Sequence, residues 1–339
     1  MDISLKQFFK YIYIMKIVVT GSSGMVGTNI KGIVEQYPGH EFTFVSRSEG
    51  PDGRGINLTN RTDVFHFFSS NYYDACIHLA ANVGGLYKNE ANNIKMFSDN
   101  IAMNENVIDA CHKYGVKRGI FVLSSCIYTP HPSKFPMDEK MIHEGPPHAS
   151  NEGYAYAKRM LEMQCRNYNK AYGHEYICVI PVNLFGPYDN YEIKDAHLIP
   201  AVMHRWHIAK KNNQDKFLAY GTGAPLRQFL YAPDFAKLIC NILTDGKYKS
   251  TEPLICCDDK EYTIKKTLQT LADVMEIDKK KIKWDMTKSD GCMRKTVTNG
   301  KLKSVYPDLN LTSLRHGLFK SYNWFKDNYK EVRGAVKNS

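Results

Sequence analysis

The sequence predicts an α/β fold in which a doubly wound parallel sheet carries a smaller mixed lobe, and three observations support this prediction. Short apolar runs rich in β-branched residues recur without polar alternation, which is typical of strands buried on both faces of a sheet. Helical stretches separate these runs, and strand alternating with helix is the pattern of a doubly wound sheet. A glycine-rich turn directly follows the first run, where such a fold turns into its first helix.

The predicted strands share an uninterrupted apolar character, and they lie at 16–20, 42–45, 75–79, 119–123 and 177–180. Long helices are predicted between them at 93–113 and 152–171. After residue 187 this rhythm breaks, and the predicted elements become a helix at 197–210, a turn at 221–223, a short strand at 229–231, a helix from 233 and a last sheet strand at 254–256. From residue 261 onward, helices and polar loops predict a lobe packed over the carboxyl edge of the sheet.

We predict a Rossmann domain formed by 15–184 and 228–257, and a substrate-binding domain formed by 185–227 and 258–332. A chain of 339 residues is long enough for either one large domain with an insertion or two domains that share a cleft. Residues 1–14 are predicted to be an N-terminal extension, because Lys10 interrupts their apolar run and Met15 resembles a natural start.

Composition indicates an ordinary folded, cytoplasmic protein. The apolar fraction of 43% and the charged fraction of 24% are typical of globular domains, and no stretch approaches the length of a membrane span. The net charge of +10 is dispersed, so we expect a small anion such as a nucleotide diphosphate as partner, and neither nucleic acid nor a membrane. Nine scattered cysteines without a Cys-x-x-Cys pair favour reduced thiols, and no spacing predicts a metal site.

The glycine-rich turn has the spacing G-x-x-G-x-x-G between the first strand and the first helix. Glycine permits a tight turn and lets backbone N–H groups approach a pyrophosphate at a helix N-terminus. A turn without any ligand remains the alternative. The predicted cofactor contacts in this turn are Gly21, Ser22, Ser23, Gly24, Met25, Val26 and Gly27.

Arg47 follows the second strand, near the place where NAD-binding proteins carry an acidic residue for the ribose 2′-hydroxyl. A guanidinium there suits a 2′-phosphate, so NADP(H) is the predicted cofactor; the alternative is an ordinary surface charge. Asn57 and Leu58 are predicted to lie near the adenine.

Tyr154 and Lys158 lie one helical turn apart, with Ser124 at the end of a central strand. Such a set can move a proton to or from a carbonyl oxygen while hydride moves, with Lys158 lowering the pKa of the phenol and Ser124 polarising the carbonyl. The Tyr-x-x-x-Lys spacing alone is weak, because 22 tyrosines in a Lys-rich chain produce it by chance. A thiol at Cys126 can work on acidic C–H bonds beside the same carbonyl, although from the residues alone Cys126 also fits a buried structural thiol.

Several segments together resemble the extended short-chain dehydrogenase/reductase family. A narrower set is similar to those members that convert GDP-4-keto-6-deoxy-D-mannose to GDP-L-fucose in an NADPH-dependent reaction. The segments that carry the resemblance are the glycine turn, Asn57-Leu58, His78-Leu79-Ala80-Ala81, Val83-Gly84-Gly85, Ser124-Ser125-Cys126-Ile127-Tyr128, Asn151-Glu152-x-Tyr154-Ala155-x-Ala157-Lys158, Asn183-Leu184-Phe185-Gly186-Pro187-x-Asp189-Asn190, His197-x-Ile199-Pro200-Ala201 and Pro225-x-Arg227-x-Phe229-Leu230.

The resemblance implies roles for individual residues. It makes Cys126 a base at C3 and C5 of the sugar, His197 the acid on the opposite face, and Tyr154 the proton donor to O4, with Ser124 and Lys158 completing the catalytic set. Without it, His197 fits a helix start or a core histidine. The remaining cofactor contacts that it implies are Leu123, Ser124, Lys158, Pro181, Asn183, Leu184 and His197, and the substrate contacts are Arg205, Tyr220, Arg227, Lys281 and Asp290.

Some features leave alternatives open. Lys281 and Asp290 also fit a solvated face. Ser23 and Tyr220 stand where some relatives carry Arg and Trp. A related nucleotide-sugar 4-reductase or epimerase without the double epimerisation is the first alternative function, and a non-catalytic NADP-binding protein is the second.

Family members pair the helices at 93–113 and 152–171 into a four-helix bundle, so a homodimer is expected.

Overall fold

A computed structural model describes residues 14–53 and 55–335 of the chain. Its main sheet has six parallel strands in the order β10-β5-β4-β3-β1-β2. The strands of the described residues are β1 (Met15–Thr20), β2 (His40–Val45), β3 (Ala75–His78), β4 (Arg118–Val122), β5 (Glu175–Pro181), β6 (Asn183–Phe185), β7 (Phe217–Tyr220), β8 (Leu226–Arg227), β9 (Phe229–Tyr231), β10 (Leu254–Cys256), β11 (Tyr262–Thr263) and β12 (Ile282–Asp285).

The helices that connect and cover these strands are α1 (Met25–Lys31), α2 (Arg61–Ser69), α3 (Leu86–Ala91), α4 (Asn93–Lys113), α5 (Glu152–Tyr172), α6 (Leu198–Lys211), α7 (Ala232–Thr244), α8 (Ile264–Val274), α9 (Gly300–Val305) and α10 (Leu314–Asp327). Helix α2 packs on α4, α4 packs on α5, and α1 packs on α7. None of the described helices is both long and apolar enough to cross a bilayer. The predicted extension, residues 1–14, lies outside the described residues except for Ile14.

The strand order reverses at β1, which separates β2 from β3. Crossover connections in parallel sheets are right-handed, so the connections on the two sides of this reversal place their helices on opposite faces of the sheet. The central strands are therefore covered by helices on both faces. Ile17, Val18 and Val19 are accordingly fully buried. The α/β fold with a doubly wound parallel sheet is therefore confirmed, and the crevice at the carboxyl ends of β1 and β3 is its topological switch point.

A second buried cluster lies beside the sheet. It contains Trp206 of α6, Leu271 of α8 and Phe325 of α10. The predicted domain boundaries stay a prediction, and one segment packs across them: Val297 and Leu302, assigned to the substrate-binding domain, are buried in the cluster of the main sheet. Three two-stranded sheets lie alongside, pairing β6 with β9, β8 with β11 and β7 with β12.

Candidate active site

The glycine turn between β1 and α1 packs tightly against its surroundings. Gly21 has a φ of +74°, and a Cβ there would lie 2.6 Å from the backbone nitrogen of Ala80, just beyond β3. A Cβ on Gly27 would lie 2.6 Å from the Cα of Ser22. A side chain at Gly21 would force the turn away from the residues that follow β3, and one at Gly27 would force α1 away from the turn. Both glycines are therefore required by close backbone packing around the turn.

Gly24 is the residue that caps the N-terminus of α1. The first N–H groups of a helix have no partner within the helix, and the absence of a side chain at Gly24 leaves room for a ligand to reach them. The backbone nitrogen of Ser22 donates to the Val45 carbonyl at 3.2 Å, which holds the turn beside the end of β2. This arrangement fits a dinucleotide diphosphate.

Glu49 is a residue of this corner that sequence reasoning missed. The Ser22 hydroxyl donates to its carboxylate at 2.6 Å, and the Lys31 ammonium pairs with it at 2.6 Å. Arg47, two residues earlier, is exposed. Because Lys31 neutralises Glu49, the corner retains the positive character of Arg47 that suits a 2′-phosphate.

Asn57 and Leu58 lie in the turn before α2. The Asn57 amide oxygen accepts a hydrogen bond of 2.8 Å from the Thr59 hydroxyl, and Leu58 is buried. The Leu58 carbonyl accepts from the Asn106 side chain of α4 at 3.0 Å. This segment is therefore fixed to the helices that cover the sheet, and its contact with adenine stays a prediction.

Tyr154, Lys158 and Ser124 come together at the end of β4. Tyr154 and Lys158 are 7% and 1% exposed on the inner face of α5, and the Tyr154 phenol hydrogen-bonds with Ser124. The Lys158 ammonium donates to the Val122 carbonyl at 2.7 Å and lies 5.9 Å from the centre of the Tyr154 ring. Three predicted catalytic residues thus share one buried site.

Burial dominates the protonation of this site. It raises the pKa of Tyr154, the charge of Cys126 adds to this, and the hydrogen bond from Ser124 only partly opposes it. Burial also lowers the pKa of Lys158 to about 8. Loss of water around the buried phenol outweighs the hydrogen bond from Ser124, and the expectation that Lys158 lowers the pKa of Tyr154 stays a prediction. Tyr154 is therefore a protonated donor.

A buried polar chain that the sequence did not reveal supports α5 from behind. The Thr20 hydroxyl donates to Nδ1 of His78 at 2.7 Å, and Nε2 of His78 donates to the Asn104 amide oxygen at 3.1 Å. The Asn104 nitrogen then donates to the Ala157 carbonyl at 3.3 Å. Burial and, secondly, the charge of Lys158 lower the pKa of His78 to about 3, so its imidazole is neutral. This chain positions α5 against β1 and β3.

Cys126 belongs to the short turn that follows Ser124. Its backbone nitrogen donates to the Ser124 hydroxyl at 3.2 Å, and its thiol is partly exposed. The Lys295 ammonium lies 3.9 Å from the Cys126 sulfur. Sequence reasoning missed Lys295, although it follows the predicted Asp290 by only five residues.

His197 caps the N-terminus of α6. The preceding residues contact the loop after β3, since the Gly85 nitrogen donates to the Asp195 carbonyl at 2.8 Å. Part of the surface of His197 is open to solvent, yet crowding by protein atoms and, secondly, the charge of Lys88 lower the pKa of its imidazole. A lowered pKa makes the protonated imidazole a better acid.

Four further predicted cofactor contacts lie at or just beyond the carboxyl ends of β4 and β5. Leu123 is buried and its backbone nitrogen donates to the Val179 carbonyl at 2.8 Å. Pro181 ends β5, and the Asn183 side chain donates to the Gln228 carbonyl at 2.8 Å. Leu184 lies in β6 beside Asn183. These residues therefore share the sheet edge at which Ser124 lies.

Arg205, Tyr220 and Asp290 form one wall of the smaller lobe. The Arg205 guanidinium stacks 4.1 Å from the centre of the Tyr220 ring. Asp290 accepts hydrogen bonds from the nitrogen and the hydroxyl of Thr222, at 2.8 and 2.6 Å. Arg227, at the end of β8, interacts electrostatically with both Asp290 and Cys126. The structure thus brings four of the five predicted substrate contacts into one region.

Lys281 is the predicted substrate contact that the structure does not bring to this wall. It is exposed, and its ammonium pairs with Asp215 at 2.8 Å. The parallel pairing of β12 with β7 aligns Ile282 with Phe217 and Asp285 with Tyr220. Lys281 therefore lies about 13 Å along the strands from the Tyr220 end.

The model of the NAD dependent epimerase/dehydratase family matches residues 17–253. A GDP-L-fucose synthase of Dictyostelium discoideum is 41% identical over 320 residues, which cover 94% of this chain and 97% of that protein. A probable GDP-L-fucose synthase of Drosophila melanogaster is 38% identical, with 94% and 99% covered. A crystal structure of a GDP-L-fucose synthetase from Naegleria fowleri bound to NADP matches with a TM-score of 0.83 and 32% identity, with 94% and 96% covered. The likeness extends over nearly the whole chain.

Proposed function

Because this chain belongs to the NAD dependent epimerase/dehydratase family, we propose that it converts GDP-4-keto-6-deoxy-D-mannose to GDP-L-fucose in an NADPH-dependent reaction. The observation that carries this proposal is the position of Cys126, in the same turn as Ser124, which itself hydrogen-bonds with Tyr154. A carbonyl reductase needs only the set of Ser124, Tyr154 and Lys158. A partly exposed thiol beside it supplies the base for a second reaction on the same ketone.

The cofactor is NADP(H), and the glycine turn, Gly24 at the start of α1 and the exposed Arg47 fit it. When bound, it supplies the hydride that reduces C4 of the sugar. Lys158 is positioned to bind its ribose, and the ends of β4 and β5 to surround its nicotinamide. The assignment of individual contacts remains part of the proposal.

Epimerisation uses Cys126 and His197 on opposite faces of the sugar. The C4 ketone acidifies the hydrogens at C3 and C5, so the Cys126 thiolate can take one of these protons and leave an enolate. Ser124 and Tyr154 stabilise the enolate oxygen by hydrogen bonds. His197, as an imidazolium, then donates a proton to the opposite face and becomes neutral, which inverts the carbon.

Reduction uses the same oxygen contacts once both carbons are inverted. Hydride adds to C4, and the Tyr154 hydroxyl donates its proton to O4 as negative charge develops there. The raised pKa of Tyr154 keeps that proton in place until it is needed. The Lys158 ammonium then stabilises the phenolate that remains.

Product analysis tests this proposal. The purified protein is incubated with GDP-4-keto-6-deoxy-D-mannose and NADPH, and the sugar configuration at C3, C4 and C5 is determined by NMR. GDP-L-fucose is the expected product. A reduced sugar that keeps the D-manno configuration at C3 and C5 would favour the alternative, a 4-reductase without epimerisation. Failure to oxidise NADPH with the keto sugar would favour a non-catalytic protein.

The assembly that we propose is a homodimer built on α4 and α5. These helices pack on each other and present exposed apolar side chains, among them Ile94, which is 86% exposed, and Met163, which is 42% exposed. Light scattering should give twice the mass of the chain, and the double variant Ile94→Glu with Met163→Glu should give a monomer. Phe319→Glu, which alters an exposed apolar residue of α10, is the control that should stay dimeric.

The location that we propose is the cytoplasm. All nine cysteines are free, and eight of them are buried, which suits a reducing compartment. Fractionation of cells that produce the protein tests this assignment, and recovery of its activity with membranes or in the medium would contradict it.

A further inference from the structure

The Cys126 thiol faces a cation supplied by a distant part of the chain. The Lys295 ammonium lies 3.9 Å from the Cys126 sulfur, although 169 positions separate the two residues. Both side chains are partly exposed at the edge of the crevice. At this separation an ammonium favours the charged form of the group it faces. The contact therefore favours the charged form of the Cys126 thiol, the group that begins epimerisation in the proposed function.

Lys295 is held in this position from both sides of its backbone. The Met293 carbonyl accepts a hydrogen bond of 2.8 Å from the Leu226 nitrogen, at the start of β8. The Thr296 carbonyl accepts one of 2.9 Å from the Met137 nitrogen. The segment that carries Lys295 is therefore hydrogen-bonded both to β8 and to the loop that follows Cys126.

Two other groups interact electrostatically with Cys126. Arg227 is a second cation, and its guanidinium is fixed by a hydrogen bond of 2.8 Å to the Leu226 carbonyl. Tyr154 is neutral, because burial raises its pKa. Cations near a cysteine increase its thiolate fraction, which is otherwise a few per cent at pH 7. Lys295 differs from Arg227 in lying within hydrogen-bond distance of the sulfur.

We propose that Lys295 is a positioning residue that keeps Cys126 as a thiolate by a charge-assisted N–H···S hydrogen bond, so that the base is ionised before substrate binds. The effect of Lys295 on epimerisation rests on the proposed function, whereas the ionisation of the Cys126 thiol does not depend on it. The thiolate accepts the proton from C3 or C5 and becomes a neutral thiol, while the Lys295 ammonium keeps its own protons. The resting form of the base is thus the Cys126 thiolate.

Alkylation by iodoacetamide measures the thiolate directly in the protein without substrate. Cys126 is the reporter, because the other eight cysteines are buried, and Cys126→Ser gives the background. We expect the rate at pH 7 to fall about tenfold in Lys295→Met and to recover in Lys295→Arg. At pH 10, where the thiol ionises without help, the rates of wild type and Lys295→Met should converge. Lys301→Met, which removes a surface ion pair with Glu252, is the matched control and should react like wild type.

A second measurement separates this role from simple substrate binding. In deuterated solvent, Lys295→Met should lower kcat for exchange at C3 and C5, whereas loss of a substrate contact alone would raise KM and leave kcat unchanged. Equal alkylation rates for wild type and Lys295→Met at pH 7 overturn the proposal, and so does a tenfold difference that persists at pH 10. If alkylation behaves as expected and the wild type makes no epimerised product, the proposed function fails while the role of Lys295 stands.

Discussion

The Lys158 ammonium lies 5.9 Å from the centre of the Tyr154 ring, one helical turn further along α5, and is fixed there by a 2.7 Å hydrogen bond to the Val122 carbonyl. Burial lowers its pKa to about 8, while burial raises that of Tyr154. The two groups are therefore both protonated at neutral pH, as a proton donor and the cation that stabilises its conjugate base.

The first prediction concerns pH. Because Lys158 carries its charge only below about pH 8, kcat/KM for NADPH should fall as pH rises through that value. Arginine stays charged at this pH, so Lys158→Arg should be slower than wild type and should not show the decline near pH 8. Stopped-flow measurement of NADPH oxidation checks both profiles. The same decline in Lys158→Arg would assign the titration to another group.

The second prediction separates the two reactions at Tyr154. Tyr154→Phe should lower the rate of NADPH oxidation by roughly 10²- to 10⁴-fold, because reduction needs a proton at O4. Deuterium exchange at C3 and C5 should fall less, since Ser124 still donates to the enolate oxygen. Both rates come from one NMR experiment in deuterated solvent. Equal losses in the two rates would show that Tyr154 serves them alike.

The third prediction compares two cations that the sequence assigned to the substrate. Arg227 lies near Asp290 and Cys126, whereas Lys281 pairs with Asp215 in an exposed position. Arg227→Met should raise KM for the sugar nucleotide about tenfold or more through loss of a charge-assisted contact. Lys281→Met should change it less than about twofold, because exposed ion pairs contribute little. A large effect of Lys281→Met would place the nucleotide differently.

The fourth prediction concerns stability. Burial raises the pKa of Asp189 from 3.8 to about 7, against the hydrogen bond from Asn190 and the charge of Arg333. Between about pH 4 and 7 the folded chain therefore keeps a proton that the unfolded chain has lost, and the free energy of unfolding falls as pH rises. The loss is at most about 4 kcal/mol.

Asp189→Asn keeps the acceptor for the Asn190 nitrogen and cannot ionise. Urea unfolding at pH 5 and pH 8 should therefore show a smaller drop in midpoint for the variant than for wild type. Equal drops would mean that Asp189 is already ionised in the folded protein at pH 5.

The sequence predicted the elements whose signals are local. The apolar run at residues 16–20 predicts a buried strand from five consecutive residues. The glycine turn and the Tyr154/Lys158 pair likewise each lie within one short segment. The whole sheet followed from repetition of one pattern. The family resemblance then extended the site to Cys126 and His197, which the residues alone left open.

The residues that sequence reasoning missed act across the fold. Lys295 reaches Cys126 from 169 positions away, and Asn104 joins His78 to α5 through a buried side chain with no motif around it. Lys281 lies away from Arg205, Tyr220 and Asp290, because the parallel register of β12 with β7 sets its position. Pairings of this kind are fixed by packing and cannot be read from spacing.

The most direct test of the central claim is the deuterium content of the product made in deuterated solvent by wild type, Cys126→Ser and His197→Asn. Mass spectrometry and NMR of the wild-type product should show deuterium at C3 and C5 with the L-galacto configuration. Cys126→Ser should lose deuterium at both carbons while still oxidising NADPH, and His197→Asn should lose the inversion. Undiminished deuterium at C3 and C5 in Cys126→Ser would contradict the account.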